Sequence, residues 1–348
     1  MRPLGSLYGT TLYVQCFLIA CILSAIVTPL MRIVALRFHI LDRPWSDVKT
    51  HKKAVPYLGG AAVAIAVTIA LLGARLATQF PTGTLHALRG IFIGGSIIAL
   101  LGLADDIKPK GLGYKMKFAV QFTAAAALVA FDIRIQFITP AWFADLLTVI
   151  WVVGVINAVN IIDIMDGLSS GIAVIASMAF LFISLPSEEV YVNFAAAALA
   201  GALLGFMPYN FSRRLKIFLG DTGSLLVGFV LAALSLGTSY TRVNHLGVFA
   251  PLLILGLPLY DTFLVIALRF RRGISPFRGS RDHFALRLER YGFFREEILV
   301  LSYAISLLLS FAAFEVTIVS RNYAILIYSG VALAAFAWGS WLARIPIE

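Results

Sequence analysis

Residues 190–208 read Val-Tyr-Val-Asn-Phe-Ala-Ala-Ala-Ala-Leu-Ala-Gly-Ala-Leu-Leu-Gly-Phe-Met-Pro, without one charged side chain. As a helix this stretch is long enough to cross the ~30 Å hydrocarbon core of a bilayer. Stretches of the same kind recur from residue 10 to residue 344. The chain has 348 residues, of which 60% are hydrophobic and 13% charged, and its mean hydropathy is +0.91. Soluble domains carry about 25% charged residues, so too little polar surface remains to cover a water-soluble globule of 37.8 kDa. The reading is an all-α polytopic membrane helix bundle forming one domain over 1–348.

A window of ~19 residues gives eleven expected spans, near 10–36, 57–78, 88–104, 116–131, 140–158, 170–185, 190–208, 223–240, 246–268, 297–317 and 322–343. Loops at about 37–56, 104–117, 157–170, 208–222 and 268–297 then share one side. Lysines and arginines divide 21 to 6 in favour of that side, which the positive-inside rule assigns to the cytoplasm. The N-terminus is expected outside and the C-terminus inside. Nine of the eleven aspartates also fall on the cytoplasmic side. Acidic residues contribute little to topology, so this clustering points to a function that uses carboxylates among basic loops.

Several classes drop out. No collagen-like period or low-complexity tract is present. Cys16 and Cys21 have no zinc-site spacing, and they sit too close along one helix for a good disulfide. The formal charge of +10 lies between spans, unlike the basic face of a soluble nucleic-acid binder. Residues 1–36 are expected to stay as a span, because the apolar run is too long for a cleaved leader.

The polar groups fall into five clusters. Asp105-Asp106 ends the third span, and adjacent carboxylates repel unless a cation or a phosphate-bound metal lies between them. A solvated helix end neutralised by Lys108 and Lys110 is the plainer explanation. Asn157, Asn160, Asp163 and Asp166 recur every three residues with no local cation, so a ligand, a metal or a distant basic loop must supply the counter-charge. In Phe218-Leu-Gly-Asp-Thr-Gly-Ser224, Asp221 could cap the following helix or hold Mg²⁺ against a diphosphate at the helix N-terminus. Asp261 precedes a loop with eight arginines from Arg269 to Arg295, suited to phosphate oxygens or to anionic headgroups. Phe284, Leu288 and Tyr291 are spaced for one face of a short interfacial helix there. The first loop runs from Asp42-Arg43-Pro44 through Lys49 and His51 to Gly59-Gly60, a glycine pair of the kind that serves helix packing. Carboxylates, a helix N-terminus and arginines on one face describe a phosphoryl-transfer site.

In these motifs, from about residue 40 to residue 292, the chain resembles the polyprenyl-phosphate N-acetylhexosamine-1-phosphate transferases (glycosyltransferase family 4). The resemblance implies transfer of a sugar 1-phosphate from a UDP-sugar to undecaprenyl phosphate with release of UMP, initiating a lipid-linked cell-envelope glycan. It implies Mg²⁺, with Mn²⁺ as a substitute, and a multi-pass protein of the bacterial plasma membrane among membrane lipids. Nucleic acid is not an expected partner; a homodimer is compatible. By resemblance, Asp105 and Asp106 are catalytic, and Asp221 and Asp106 hold the metal. Asn160, Asp163, Asp166, Asn210, Arg281 and His283 bind the nucleotide-sugar, and Lys49 and Lys117 bind the lipid phosphate. Direct attack by the lipid phosphate and a phosphorylated aspartate both remain open. The chain departs from the family at His283-Phe-Ala-Leu286, where a histidine-rich run is usual. Two rivals stand beside this reading: a non-catalytic lipid-phosphate binder and a transporter of an anionic solute. A transporter predicts ionisable groups near the midplane, whereas here they sit at one set of helix ends.

Overall fold

The computed structural model describes residues 7–42, 54–80, 82–108, 111–187, 189–241, 243–273, 275 and 282–346. Thirteen α-helices account for most of them. They are α1 (Leu7–Arg37), α2 (Gly59–Ala77), α3 (Thr82–Ile107), α4 (Tyr114–Ala130), α5 (Ala141–Ile161), α6 (Leu168–Ser184) and α7 (Val190–Phe211). The series continues with α8 (Gly220–Gly237), α9 (Ala250–Ile254), α10 (Gly256–Arg271), α11 (Phe284–Tyr291), α12 (Arg295–Ile318) and α13 (Arg321–Leu342). The only strands among the described residues are β1 (Leu41–Asp42) and β2 (Val55–Pro56), an antiparallel pair.

Nine of the described helices are long and apolar enough to cross a membrane, or ten if one bent pair counts as a single span. The expected eleven are therefore not reached, and the difference has two sources. At 17 residues, α4 is ~26 Å long, and Lys115 and Lys117 lie in its first turn. The expected 246–268 span breaks at Leu255, where His245–Ile254 and α10 meet at 71°. Pro258 has no N–H to offer the Ile254 carbonyl, so the helical ladder loses a rung at the break.

The chain forms two compact units, one containing α1–α8 and the other α9–α13. In the first unit α7 and α8 are the core: 78% and 83% of their apolar windows are buried, against 17% for α1. Small residues make this possible. Gly201 and Gly205, one turn apart on α7, face the backbone carbonyls of Phe17 and Cys21 on α1. A Cβ at either glycine would overlap those carbonyls, so the helices touch backbone to backbone as small-xxx-small helices do in lipid. Farther along α1, Pro29 cannot donate to the Ala25 carbonyl, and the Tyr209 hydroxyl donates to it instead at 2.7 Å. Tyr209→Phe is expected to lower stability by about 1 kcal/mol with little change in activity, checked by thermal unfolding in detergent.

The segment before α2 is laced to the segment before α8. Phe218 N donates to Pro56 O at 2.9 Å, Gly59 N to Phe218 O at 3.0 Å and Gly60 N to Leu219 O at 2.8 Å. Gly60 and Gly223 then meet where α2 crosses α8, with no room for a Cβ. The glycine pair flagged in the first loop is thus a packing device, and it fixes where α8 begins.

Within the second unit, α11 forms over the predicted short helix. Phe284 and Leu288 are buried, whereas Tyr291 is exposed. Among the described arginines of this region, Arg269 and Arg287 are internal. Arg287 is fully buried and donates to the Leu342 and Ile345 carbonyls at 3.0 and 2.8 Å, so it ties α11 to the end of α13.

Candidate active site

Asp105 and Asp106 occupy the last turn of α3 and take different roles. Asp106 turns toward the start of α8, where its Oδ1 accepts the Asp221 N–H at 2.8 Å. Its Oδ2 accepts the Thr222 N–H at 3.0 Å and the Thr222 hydroxyl at 2.6 Å. A helix N-terminus leaves its first N–H groups without partners inside the helix. Here the residue preceding α8 is Leu219, which has no capping side chain, and Asp106 caps the helix from α3 instead. Asp221 lies inside the first turn, so the expected choice for it between cap and ligand falls against the cap. Its side chain is left to face other groups.

Those groups come from α3, α4, α5 and α8. Lys117, in the first turn of α4, lies 2.9 Å from Asp105 Oδ2 and also pairs with Asp221 Oδ2. Asn160, in the last turn of α5, donates to Asp221 Oδ1 at 3.1 Å and to the Ser224 hydroxyl at 2.8 Å. Asp105 also accepts the Leu112 N–H, which ties the α3–α4 loop to it. Among the described residues the neutralising cation of the aspartate pair is therefore Lys117, with the α8 N-terminus; Lys108 pairs with neither aspartate, and Lys110 lies outside the described residues.

The expected polar stripe is interrupted. Because α5 ends at Ile161, Asn157 and Asn160 are helical while Asp163 and Asp166 lie in the loop before α6. Asn157 forms a reciprocal amide pair with the buried Gln121 of α4, at 2.7 and 3.4 Å. Asp166 takes its counter-charge from Lys216 in the α7–α8 loop. Two α1 hydrogen bonds hold that loop: Arg32 donates to the Arg214 and Lys216 carbonyls at 3.2 and 3.3 Å. Asn210 is a staple between loops, accepting the Gly167 N–H at 2.7 Å and donating to the Ile217 carbonyl at 3.0 Å.

Asp163 has no side-chain hydrogen bond or ion pair among the described residues. Burial, then the negative charges of Asp221, Asp166 and Asp106, push its carboxyl up to about 8. The folded protein therefore keeps a proton that an unfolded chain, titrating in the ordinary carboxylate range, has already released. Stability from this group is fully present below that range, declines as pH rises, and is gone above about 8. The melting temperature of ligand-free protein is expected to fall between about pH 4 and pH 8, and Asp163→Asn to flatten that fall. An equal slope in the variant would place the proton on another group.

Five carboxylates (Asp105, Asp106, Asp163, Asp166 and Asp221) thus share this region with two lysines that ion-pair to them, Lys117 and Lys216. Ionised, the set carries an excess of negative charge, in hard oxygen donors. No three acidic, histidine or cysteine side chains converge on one point among the described residues. That donor set fits Mg²⁺, which uses one or two carboxylates and completes its shell with water and substrate phosphates. His283 belongs to the second unit, where its Nδ1 lies 2.8 Å from Asp261. Lys49 and Arg281 lie outside the described residues.

Sequence reasoning did not single out Gln121, Lys216, Thr222 or Arg32 as site-building residues. Gln121 carried one signal, a carboxamide four residues after Lys117 in an otherwise apolar helix. Lys216 and Arg32 carried none, since their partners are distant in sequence.

The sequence profile of glycosyl transferase family 4 matches residues 88–239, the stretch that holds all five carboxylates. The chain is similar to a Bacillus subtilis (strain 168) protein described as a probable undecaprenyl-phosphate N-acetylglucosaminyl 1-phosphate transferase. The two are 31% identical over 309 residues, which cover 86% of this chain and 84% of that protein. It is also 31% identical over 321 residues to a decaprenyl-phosphate N-acetylglucosaminephosphotransferase of Mycolicibacterium smegmatis, covering 82% and 77%. With the undecaprenyl-phosphate alpha-N-acetylglucosaminyl 1-phosphate transferase of Escherichia coli (strain K12) it shares 26% identity over 283 residues, covering 78% and 74%.

Proposed function

The chain belongs to glycosyl transferase family 4, and from that premise we propose that it moves N-acetylhexosamine 1-phosphate from a UDP-sugar to undecaprenyl phosphate. It is a multi-pass membrane enzyme, a polyprenyl-phosphate sugar-1-phosphate transferase. An oxygen of the lipid phosphate bonds to the sugar-bearing phosphorus of the donor, and the bond from that phosphorus to UMP breaks. One diphosphate is exchanged for another, so the catalyst's task is positioning and charge neutralisation. The observation that carries this reading is the Asp221 carboxylate, set free in the first turn of α8 because Asp106 caps that turn from α3.

Asp221 and Asp106 would hold Mg²⁺, which when bound would supply positive charge to offset the phosphates. Asp105 orients the lipid phosphate. Lys117, held between Asp105 and Asp221, is placed to turn its ammonium toward incoming phosphate. Asn160, Asp163 and Asp166 line the side of the cluster assigned to the nucleotide, and Asn210 fixes their loop through Gly167. With the basic loops inside, the site opens to the cytoplasm of the bacterial plasma membrane, where UDP-sugars are made. The product is the first lipid-linked intermediate of a cell-envelope glycan.

The test is UMP release by purified protein given undecaprenyl phosphate, Mg²⁺ and a panel of UDP-sugars headed by UDP-N-acetylglucosamine. Lipid- and Mg²⁺-dependent release from one donor supports the reading and names the sugar. Lipid binding without UMP from any donor sinks it in favour of a non-catalytic binder.

A further inference from the structure

Two carboxamides meet between α4 and α5, one turn along the helices from the carboxylate cluster. Gln121 is wholly buried, and its Oε1 accepts one hydrogen of the Asn157 amide at 2.7 Å. The other hydrogen of that amide goes to the Val153 carbonyl at 2.7 Å. A carbonyl only accepts, so the Val153 bond fixes which way the Asn157 amide faces. Gln121 Nε2 closes the pair by donating to Asn157 Oδ1 at 3.4 Å.

The place of this pair along the helices matters more than its strength. Lys117 and Gln121 are four apart on α4, and Asn157 and Asn160 three apart on α5, so each couple shares a helical face. Lys117 and Asn160 are the groups that hold the two oxygens of Asp221. The amide pair is thus the next rung between the same two helices, about 5–6 Å away. These helices are not fixed alike. At Gly228 of α8 a Cβ would overlap the Ile156 backbone of α5, and Trp151 Nε1 donates to the Ser235 hydroxyl at 2.8 Å. Helix α4 instead takes its place from α3 and α5. On the α3 side Gly94 lets the Ala124 carbonyl come close. Packing of that kind sets a distance, whereas a reciprocal amide pair also sets a direction. Hydrogen bonds between membrane helices add only modest stability, because the separated helices find other partners.

We propose that Gln121 is a positioning residue for the transfer reaction: through its pair with Asn157 it sets the rotation of α4 that holds the Lys117 ammonium between Asp105 and Asp221. This rests on the transferase reading and deepens it by naming what aims the lysine. A shift of ~1 Å in a group that meets the reacting phosphates costs on the order of a hundredfold in rate.

Gln121→Met keeps the length of the side chain and removes the pair. In the UMP assay it is expected to lower kcat/KM by about a hundredfold, while the melting temperature falls by no more than about 4 °C. A second readout needs no turnover. Full-length protein in detergent, without substrates, is treated with limiting acetic anhydride, and acetylated lysines are read by peptide mass spectrometry. Lys117 must leave both carboxylates before it can react, so Gln121→Met is expected to speed its acetylation several-fold. The exposed Lys115, two residues earlier, is the internal reference. The double variant Gln121→Met with Asn157→Leu leaves no unpaired amide to disturb folding, and it is expected to show the same two changes. Wild-type activity in either variant overturns the proposal. So does lost activity with an unchanged Lys117 to Lys115 ratio, since Gln121 would then act other than through the lysine. Failure of both variants to unfold cooperatively makes the pair a structural element and overturns it as well. Wild-type protein that releases no UMP overturns the transferase reading instead, and the acetylation ratio still reports separately on Gln121.

Discussion

Asp221→Ala is expected to reduce Mg²⁺-dependent UMP release by about a thousandfold or more, the scale of losing a preorganised charge-stabilising group. The expectation comes from how the side chain is held. Asp106 relieves Asp221 of capping α8, Lys117 and Asn160 fix its two oxygens, and Ser224 fixes the Asn160 amide in turn. A carboxylate so constrained meets a ligand with little further ordering. Stability should move far less than activity, because the substitution removes one negative charge from a cluster that has an excess of them. The pair of measurements is UMP release and thermal unfolding of the same sample. Activity within about tenfold of wild type, in a variant that still unfolds cooperatively, would remove Asp221 from the reacting site.

Gly60→Val is expected to be the most damaging substitution outside the polar cluster. The side chain would fall on the backbone of Gly223, which cannot rotate aside as a side-chain neighbour can. Relief requires α2 and α8 to separate, breaking the Gly60 N–H bond to the Leu219 carbonyl and shifting the turn that carries Asp221. A loss of about 3 kcal/mol or more follows from overpacking of this kind, with activity falling alongside. Gly73→Val on the same helix is the control, because a Cβ there meets nothing within 4 Å. Equal melting temperatures for the two variants would show that the α2–α8 approach is looser than drawn.

Much of this protein was legible before any coordinates. Apolar length gave the spans, because a helix in lipid must satisfy its backbone internally and bury or expose only apolar side chains. Asp105, Asp106, Asn160, Asp163, Asp166 and Asp221 were singled out from pattern and Asn210 from the family resemblance, and the first unit gathers them around the start of α8. The span count was less secure where polarity and proline intrude. A short helix with two lysines in its first turn, α4, and a helix broken before Pro258 both read as ordinary spans in a sliding window.

Sequence could not assign the work within the cluster. Adjacent aspartates look equivalent on paper, yet successive side chains on a helix point about 100° apart, so Asp106 reaches α8 while Asp105 reaches Lys117. The counter-charge of the aspartate pair was misplaced for the same reason. Lys108 is near Asp105 in sequence, but among the described residues Lys117 is the ammonium group brought to it, while Lys216 reaches Asp166 from the distant basic loop. The sequence by itself determined that this chain lives in a membrane and which residue types meet at one set of helix ends. Only the tertiary structure decided which carboxylate caps a helix, which is held by lysine, and which is left with neither. Those roles depend on directions and separations between helices that touch through glycine, and these are set by packing across the whole bundle.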